Sequence, residues 1–414
     1  MTSTDQPAAD LGNWQEPPHN RWSFLHLDQV LATRIVHRGQ APPAPMDALP
    51  GTSAAEIEGL SVVRATGAVD TVAGVLRDTE TDGMLVLHDG AVAYEHYAPT
   101  MAADQQHLLM SVTKSLVGAV AAILLERGLL HRSTRVADVV PETHGTGYGD
   151  ATVGDLLDMR SGVRFSEAYL DPDSDVRRME HAAAWRPPAP GSPTSLYEFL
   201  TTLASDRPHG GAFHYRSAET NMLGWVCESS AGTSMPELLS DLVWSRLGAG
   251  NDAIVAVDPV GTAIHDGGLA ATLRDVARFG QTLLDGGRSP SGEQVLPAWW
   301  VADTLAGGHD SKQALADSPS LTAMPGGHYR NQIWVPYADR EVLLCLGIHG
   351  QMVFVDREAR TVGVKLSTWP VPLEPGRHLD TLAALHAITD HLTRRVPHSE
   401  PAPTPDPTDT EERR

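Results

Sequence analysis

The chain is 414 residues long with 41% hydrophobic residues and 9 Trp, which describes a globular protein with enough length for a substantial core. Its 52 Asp and Glu against 31 Lys and Arg give a formal charge of -21, which argues against a sequence-independent grip on nucleic acid phosphates or anionic lipid. Two cysteines, Cys227 and Cys345, cannot build a disulfide framework, and the polar start Met1 to Asp10 shows no leader pattern, so a reducing cytoplasm is expected.

The first eighty residues, with their Pro-rich stretch Pro42 to Pro50, read as a wrapping arm with little regular structure of its own. Met84 to His88 and Ala91 to Tyr97 flank Asp89-Gly90, a hairpin signal. An apolar helix is expected from Ser111 to Glu126, closed by Gly128; its apolar run, Leu116 to Leu125, is about half of what a membrane span needs. Helical pieces such as Thr152 to Met159 and Glu219 to Ser230 follow, separated by Asp171 to Pro193, which reads as a long functional loop. Asp275 to Leu284 is another helix. Strands are then expected at Gln332 to Val335, Val342 to Ile348, Met352 to Val355 and Thr361 to Ser367, before a final helix from His378 to Arg394.

This pattern predicts an α/β region from residues 81–150 and 260–396, with the arm 1–80 packed on it. A helical subdomain is expected at 151–259 and a disordered Pro/Asp/Thr/Glu tail at 397–414. Strands near both ends suggest one sheet assembled from the two termini.

The chemistry begins at Ser111-Val112-Thr113-Lys114. Residues three apart on a helix share a face, so the hydroxyl and the amine can meet at its first turn. A serine hydroxyl attacks only when a base takes its proton, and burial by the apolar run could make lysine that base. Only Lys114, Lys312 and Lys365 occur in the chain, so a lysine at the head of an apolar helix invites explanation. Chance alone would still give such a spacing in about one comparable chain in five, and the motif by itself leaves both readings open. Tyr215-Arg216-Ser217 offers a phenol that could shuttle the proton if a neighbouring cation draws its pKa down; a turn tyrosine packed on the core is the alternative. Gly347-Ile348-His349-Gly350 ends a strand where a backbone N–H could approach a substrate oxygen, or simply makes an edge turn. No G-x-S-x-G, H-E-x-x-H, paired C-x-x-C or P-loop pattern is present, so no metal or cofactor is expected. His378, His386 and His391 lack ligand spacing and read as solvated helix residues.

Taken together, S-x-x-K, Y-x-S and the glycine-rich strand end resemble the serine β-lactamase and penicillin-binding-protein superfamily. More closely, the chain resembles the 6-aminohexanoate-dimer hydrolases, through Trp14 to Trp22, His107 to Ser111, Tyr197 to Leu203, Gly347 to Gln351 and Val364 to Ser367. The resemblance implies a β-lactamase-like α/β fold: a mixed, mainly antiparallel sheet flanked by helices, with an all-helical subdomain. It implies Ser111 as acyl-forming nucleophile, Lys114 and Tyr215 as the proton-transfer pair, and the backbone N–H groups of Ser111 and Ile348 as the oxyanion hole. It also implies substrate contacts from Tyr169, Glu180, Trp185 and Asp266. Glu180 stands where the nylon-active relatives carry an aspartate that faces a substrate ammonium, and Asp266 replaces an uncharged residue. Penicillin-recognising relatives have Lys-Thr-Gly where this chain reads Cys345-Leu346-Gly347, which removes the usual clamp for a β-lactam carboxylate. The function so implied is hydrolysis of small linear amides and carboxylic esters through an acyl-enzyme, with no cofactor, by a protein able to act as a homodimer. A carboxylesterase without useful amidase activity and a non-catalytic ligand sensor are the competing readings.

Overall fold

The computed structural model describes residues 9–318, 324 and 326–395. The expected tail at 397–414 lies outside the described residues. Seven strands form one sheet, antiparallel throughout, in the order Ala91–Tyr97, Thr81–His88, Thr361–Ser367, Gln351–Asp356, Val342–Gly347, Ile333–Val335 and His328–Arg330. The Asp89-Gly90 turn joins the first two with φ of 49° and 80°, the double positive φ that a tight two-residue hairpin needs. The chain ends do meet in this sheet: Met84 lies opposite Lys365 and His88 opposite Thr361.

Period-two alternation divides the sheet between two cores. Leu85 and Leu87 join Phe279 and Leu283 of helix Leu273–Leu284 on one face. Met84 and Val86 join Leu385 and Ile388 of the final helix Pro375–Arg395 on the other. Helix Val112–Glu126 is buried from Val112 through Leu124, which is why its apolar residues run all round rather than along one stripe.

Four local expectations change. The N-terminal arm has more order than its composition suggests. Thr33–Val36 pairs with Ala253–Ala256 in a second, four-stranded sheet with Leu269–Thr272 and Gln106–Leu108, and helices Ala54–Glu58 and Val72–Asp78 follow. A strand whose partner lies more than two hundred residues away has no local signal. Likewise Ala253–Ala256 is a strand inside the segment expected to be helical. The long loop from Asp171 contains helix Asp175–Ala182, which starts after Ser174 with Asp175 in its first turn and buries Val176, Met179, Glu180 and Ala182. Nor is His386 solvated: its Nε2 lies 2.8 Å from the Tyr337 hydroxyl and its ring stands edge-on to Phe354.

Lys365 is fully buried in the sheet, donating to the Thr79 carbonyl at 3.3 Å and to the Ser367 hydroxyl, with its ammonium 5.6 Å from the Trp369 ring centroid. Burial pulls its pKa down from 10.5 to about 7. Between those values the unfolded chain holds a proton that the native state does not, so stability rises with pH there, and below pH 7 the cost is fully present. The stability difference between wild type and Lys365→Met should therefore climb by up to about 1.4 kcal/mol per pH unit from pH 7 to 10 and stay flat below. Denaturant melts at matched pH values check this; parallel curves for the two proteins would contradict it.

Candidate active site

Ser111 occupies the position before helix Val112–Glu126, yet its hydroxyl makes no capping bond. It lies instead 2.9 Å from Lys114 Nζ, one turn on. Lys114 is 1% exposed and reaches two further oxygens, the Asp266 carbonyl at 2.6 Å and Ser217 Oγ at 3.1 Å. The position before the helix sets the Ser111 hydroxyl at the positive end of the helix dipole.

Tyr215 completes the group from the turn before helix Ser217–Ala231. Its ring stacks on Trp334 with centroids 5.7 Å apart, and Lys114 Nζ stands 5.3 Å from its own centroid. The expected drop in its pKa is reversed. Burial pushes the phenol up more strongly than Lys114 and hydrogen bonding to Ser111 and Lys114 pull it down, which favours the protonated hydroxyl at neutral pH.

The strand end Gly347-Ile348 packs closely against the segment before Ser111 because position 347 has no side chain. A Cβ there would lie 2.6 Å from the Leu109 carbonyl oxygen and 3.1 Å from the Met110 Cβ. Met110 and His349, which adjoin Ser111 and Ile348, both hold positive φ, 47° and 60°. Strained non-glycine backbone on both sides of one pocket shows that packing fixes the approach of the two segments. The arm braces the same place: Trp14 Nε1 donates to the Trp185 carbonyl at 2.8 Å, and Phe24 stands edge-on to His349 at 5.2 Å.

One pocket is lined by Ser111, Ile348, Tyr169, Glu180, Trp185 and Asp266, so the structure brings all the sequence-derived pocket residues together with Ser111. Val176, Met179 and Ile264 add apolar wall. Tyr215 and Lys114 contact Ser111 but are not among the residues lining the pocket.

Glu180 lines the pocket, but one oxygen of its carboxylate already has two cationic partners. It is 8% exposed, and its Oε2 accepts from Arg177 and from Arg186, each at 2.6 Å. Arg177 also donates to the Tyr169 carbonyl. Asp266 keeps more freedom: its side chain is 15% exposed, held by Asn221 at 3.0 Å through Oδ1, with Oδ2 3.8 Å from Lys114.

Sequence reasoning missed Asn221, Arg177, Arg186 and Glu167. Asn221 could have been found, since it lies four residues after Ser217 and so on the same helical face. Glu167 carries no periodic signal; it stands in irregular chain, where its carboxylate accepts from Ser217 N at 2.9 Å, Ser217 Oγ at 2.5 Å and Tyr169 Oη at 2.6 Å.

Residues 69–388 match the Beta-lactamase family. The chain belongs to that family. It is 39% identical to a 6-aminohexanoate-dimer hydrolase from Paenarthrobacter ureafaciens, over 91% of this chain and 94% of the relative. The resemblance read from the motifs thus holds over nearly the whole chain, and the protein is an enzyme, a hydrolase of the serine hydrolase superfamily. Among solved structures it is similar to a Bacillus anthracis protein provisionally assigned as a 6-aminohexanoate-dimer hydrolase, with TM-score 0.84, 26% identity and coverage of 95% of this chain and 99% of that one. A family VIII carboxylesterase shares the fold at TM-score 0.58 and 17% identity, covering 76% of this chain and 95% of its own. The β-lactamase-like architecture, antiparallel sheet flanked by helices, is the expected one. Among the described residues, no helix is long and apolar enough to cross a membrane, and no group of three or more His, Cys, Asp or Glu is placed to hold a metal ion.

Proposed function

We propose that the protein hydrolyses linear amides of the 6-aminohexanoate-dimer type and carboxylic esters through an acyl-enzyme on Ser111. The observation that carries this reading is the 2.9 Å contact of Ser111 Oγ with the buried Lys114, in a pocket shared with Ile348. In acylation, Lys114 takes the Ser111 proton as Oγ attacks the substrate carbonyl. The N–H groups of Ser111 and Ile348 receive the developing oxyanion. Tyr215, kept protonated by burial, gives its proton to the leaving amine or alkoxide and recovers one from Lys114. Water then attacks the acyl-enzyme with the same groups acting in reverse. Intact-protein mass spectrometry during turnover of the linear 6-aminohexanoate dimer and of a short-chain ester is the test. A mass gain equal to the acyl group, mapped to Ser111, is expected; turnover with adducts on another residue would overturn the reading. The two buried free thiols, Cys227 and Cys345, fit the cytoplasmic location we propose with it.

One observation favours the plain carboxylesterase as second reading: Glu180 already has two guanidinium partners. An amine-bearing acyl group would have to compete with Arg177 and Arg186 for it, leaving Asp266 as the more open carboxylate. Glu180→Gln should accordingly alter rates on a 6-aminohexanoyl amide and on an uncharged acyl ester of similar length by the same factor. A selective loss on the amine-bearing substrate would return Glu180 to direct ammonium recognition and favour the amidase.

A further inference from the structure

We propose that Glu167 is a positioning residue which, through Ser217, aims the lone pair of Lys114 at Ser111. The inference rests on the reading of Ser111 as nucleophile and Lys114 as base.

A neutral lysine amine has two N–H groups and one lone pair, and only the lone pair can accept the Ser111 proton. Three oxygens surround Lys114 Nζ. The Asp266 carbonyl is acceptor-only and takes one N–H. The other two, Ser111 Oγ and Ser217 Oγ, are hydroxyls that can each donate or accept. At 2.9 and 3.1 Å from the amine, they are near-equivalent by distance alone. If Ser217 gave its proton to the amine, the lone pair would face the wrong serine.

Glu167 breaks that symmetry. Its Oε1 lies 2.5 Å from Ser217 Oγ, and an ionised carboxylate only accepts, so the single Ser217 proton is committed to it. Ser217 then presents its own lone pairs to Lys114 and takes the second N–H. With both N–H groups engaged, the lone pair is left on the side of Ser111. The carboxylate is itself held in place by the Ser217 backbone N–H at 2.9 Å and the Tyr169 hydroxyl at 2.6 Å, three donors in all. The Ser217 N–H belongs to the first residue of helix Ser217–Ala231, so the acid is fixed to the same helix terminus that presents the serine.

Glu167→Gln separates this role from packing, because it keeps shape and bond number. The glutamine oxygen is needed by the Ser217 N–H, which turns its amide N–H toward Ser217 Oγ and drives the Ser217 proton toward Lys114. We expect kcat to fall about 10-fold or more, the scale of one misdirected charge-assisted hydrogen bond, with KM changed less than about twofold. The burst of acyl-enzyme from an activated ester should slow by the same factor. In a Ser217→Ala background there is no hydroxyl to orient, so Glu167→Gln should lower kcat no further. An unchanged kcat in Glu167→Gln, or an equal loss with and without Ser217, would overturn the proposal. Melting temperatures establish that each variant is folded. Should the glutamine variant not fold, Glu167→Met removes the acceptor in the same cycle and is read by the same two criteria. Absence of any Ser111 adduct in the wild-type enzyme would instead remove the acyl-enzyme reading itself, so the two failures are distinguishable.

Discussion

Ser111→Ala should abolish labelling by a fluorophosphonate probe and lower kcat on the ester by on the order of 10⁴-fold or more. The size follows from the chemistry: no other hydroxyl in the pocket has a base at hydrogen-bond distance and a strand-end N–H beside it. Ser217, the nearest alternative, also contacts Lys114, but its proton is directed to Glu167 and it is not among the residues lining the pocket. The substitution removes one oxygen from a residue that is 8% exposed and makes no capping bond, so folding should be preserved. Labelling that persists at the wild-type level would move the nucleophile elsewhere and undo the assignment of the whole site.

Lys114→Ala and Tyr215→Phe should each lower kcat by about 10²-fold or more, as positioned acid–base groups typically contribute. Tyr215→Phe keeps the ring stacked on Trp334 and removes only the hydroxyl, so its effect reports proton transfer rather than packing. Lys114→Ala also empties a buried site and leaves the Asp266 carbonyl and Ser217 without their donor, so Lys114→Met serves as the volume-matched companion. The double variant should lose little more than the worse single one, because a proton relay without either end does not run. Rates that multiply in the double variant would mean that lysine and tyrosine act in separate steps.

The spacing of Ser111 and Lys114 was enough to bring the two groups together, because three residues along a helix always share a face. The hairpin at Asp89-Gly90, the C-terminal strands and the helices after Ser111 and Asp275 were equally legible, since each is written in turn chemistry or in periodic burial. The placement of Tyr169, Glu180, Trp185 and Asp266 around one pocket came from resemblance; no local pattern connects them.

Tertiary structure decided the rest. Whether Tyr215 has a lowered or raised pKa depends on the balance between Lys114 and burial against Trp334 and Tyr329, and burial wins. In sequence, Glu180 is a carboxylate that the resemblance places against substrate, with no sign of its cationic neighbours. Folding wraps helix Asp175–Ala182 so that Arg177 reaches the Glu180 Oε2 from the same helix and Arg186 from the chain beyond. The strand Thr33–Val36 exists only because Ala253–Ala256 lies beside it. Hydrogen-bond direction at Lys114 is set by Glu167, a residue in irregular chain whose importance comes wholly from its distance to Ser217. Sequence alone thus determined which residue types could do the chemistry and where the regular elements begin. Burial, ion pairing and proton direction are properties of neighbours in space, and for these residues the neighbours are far apart along the chain.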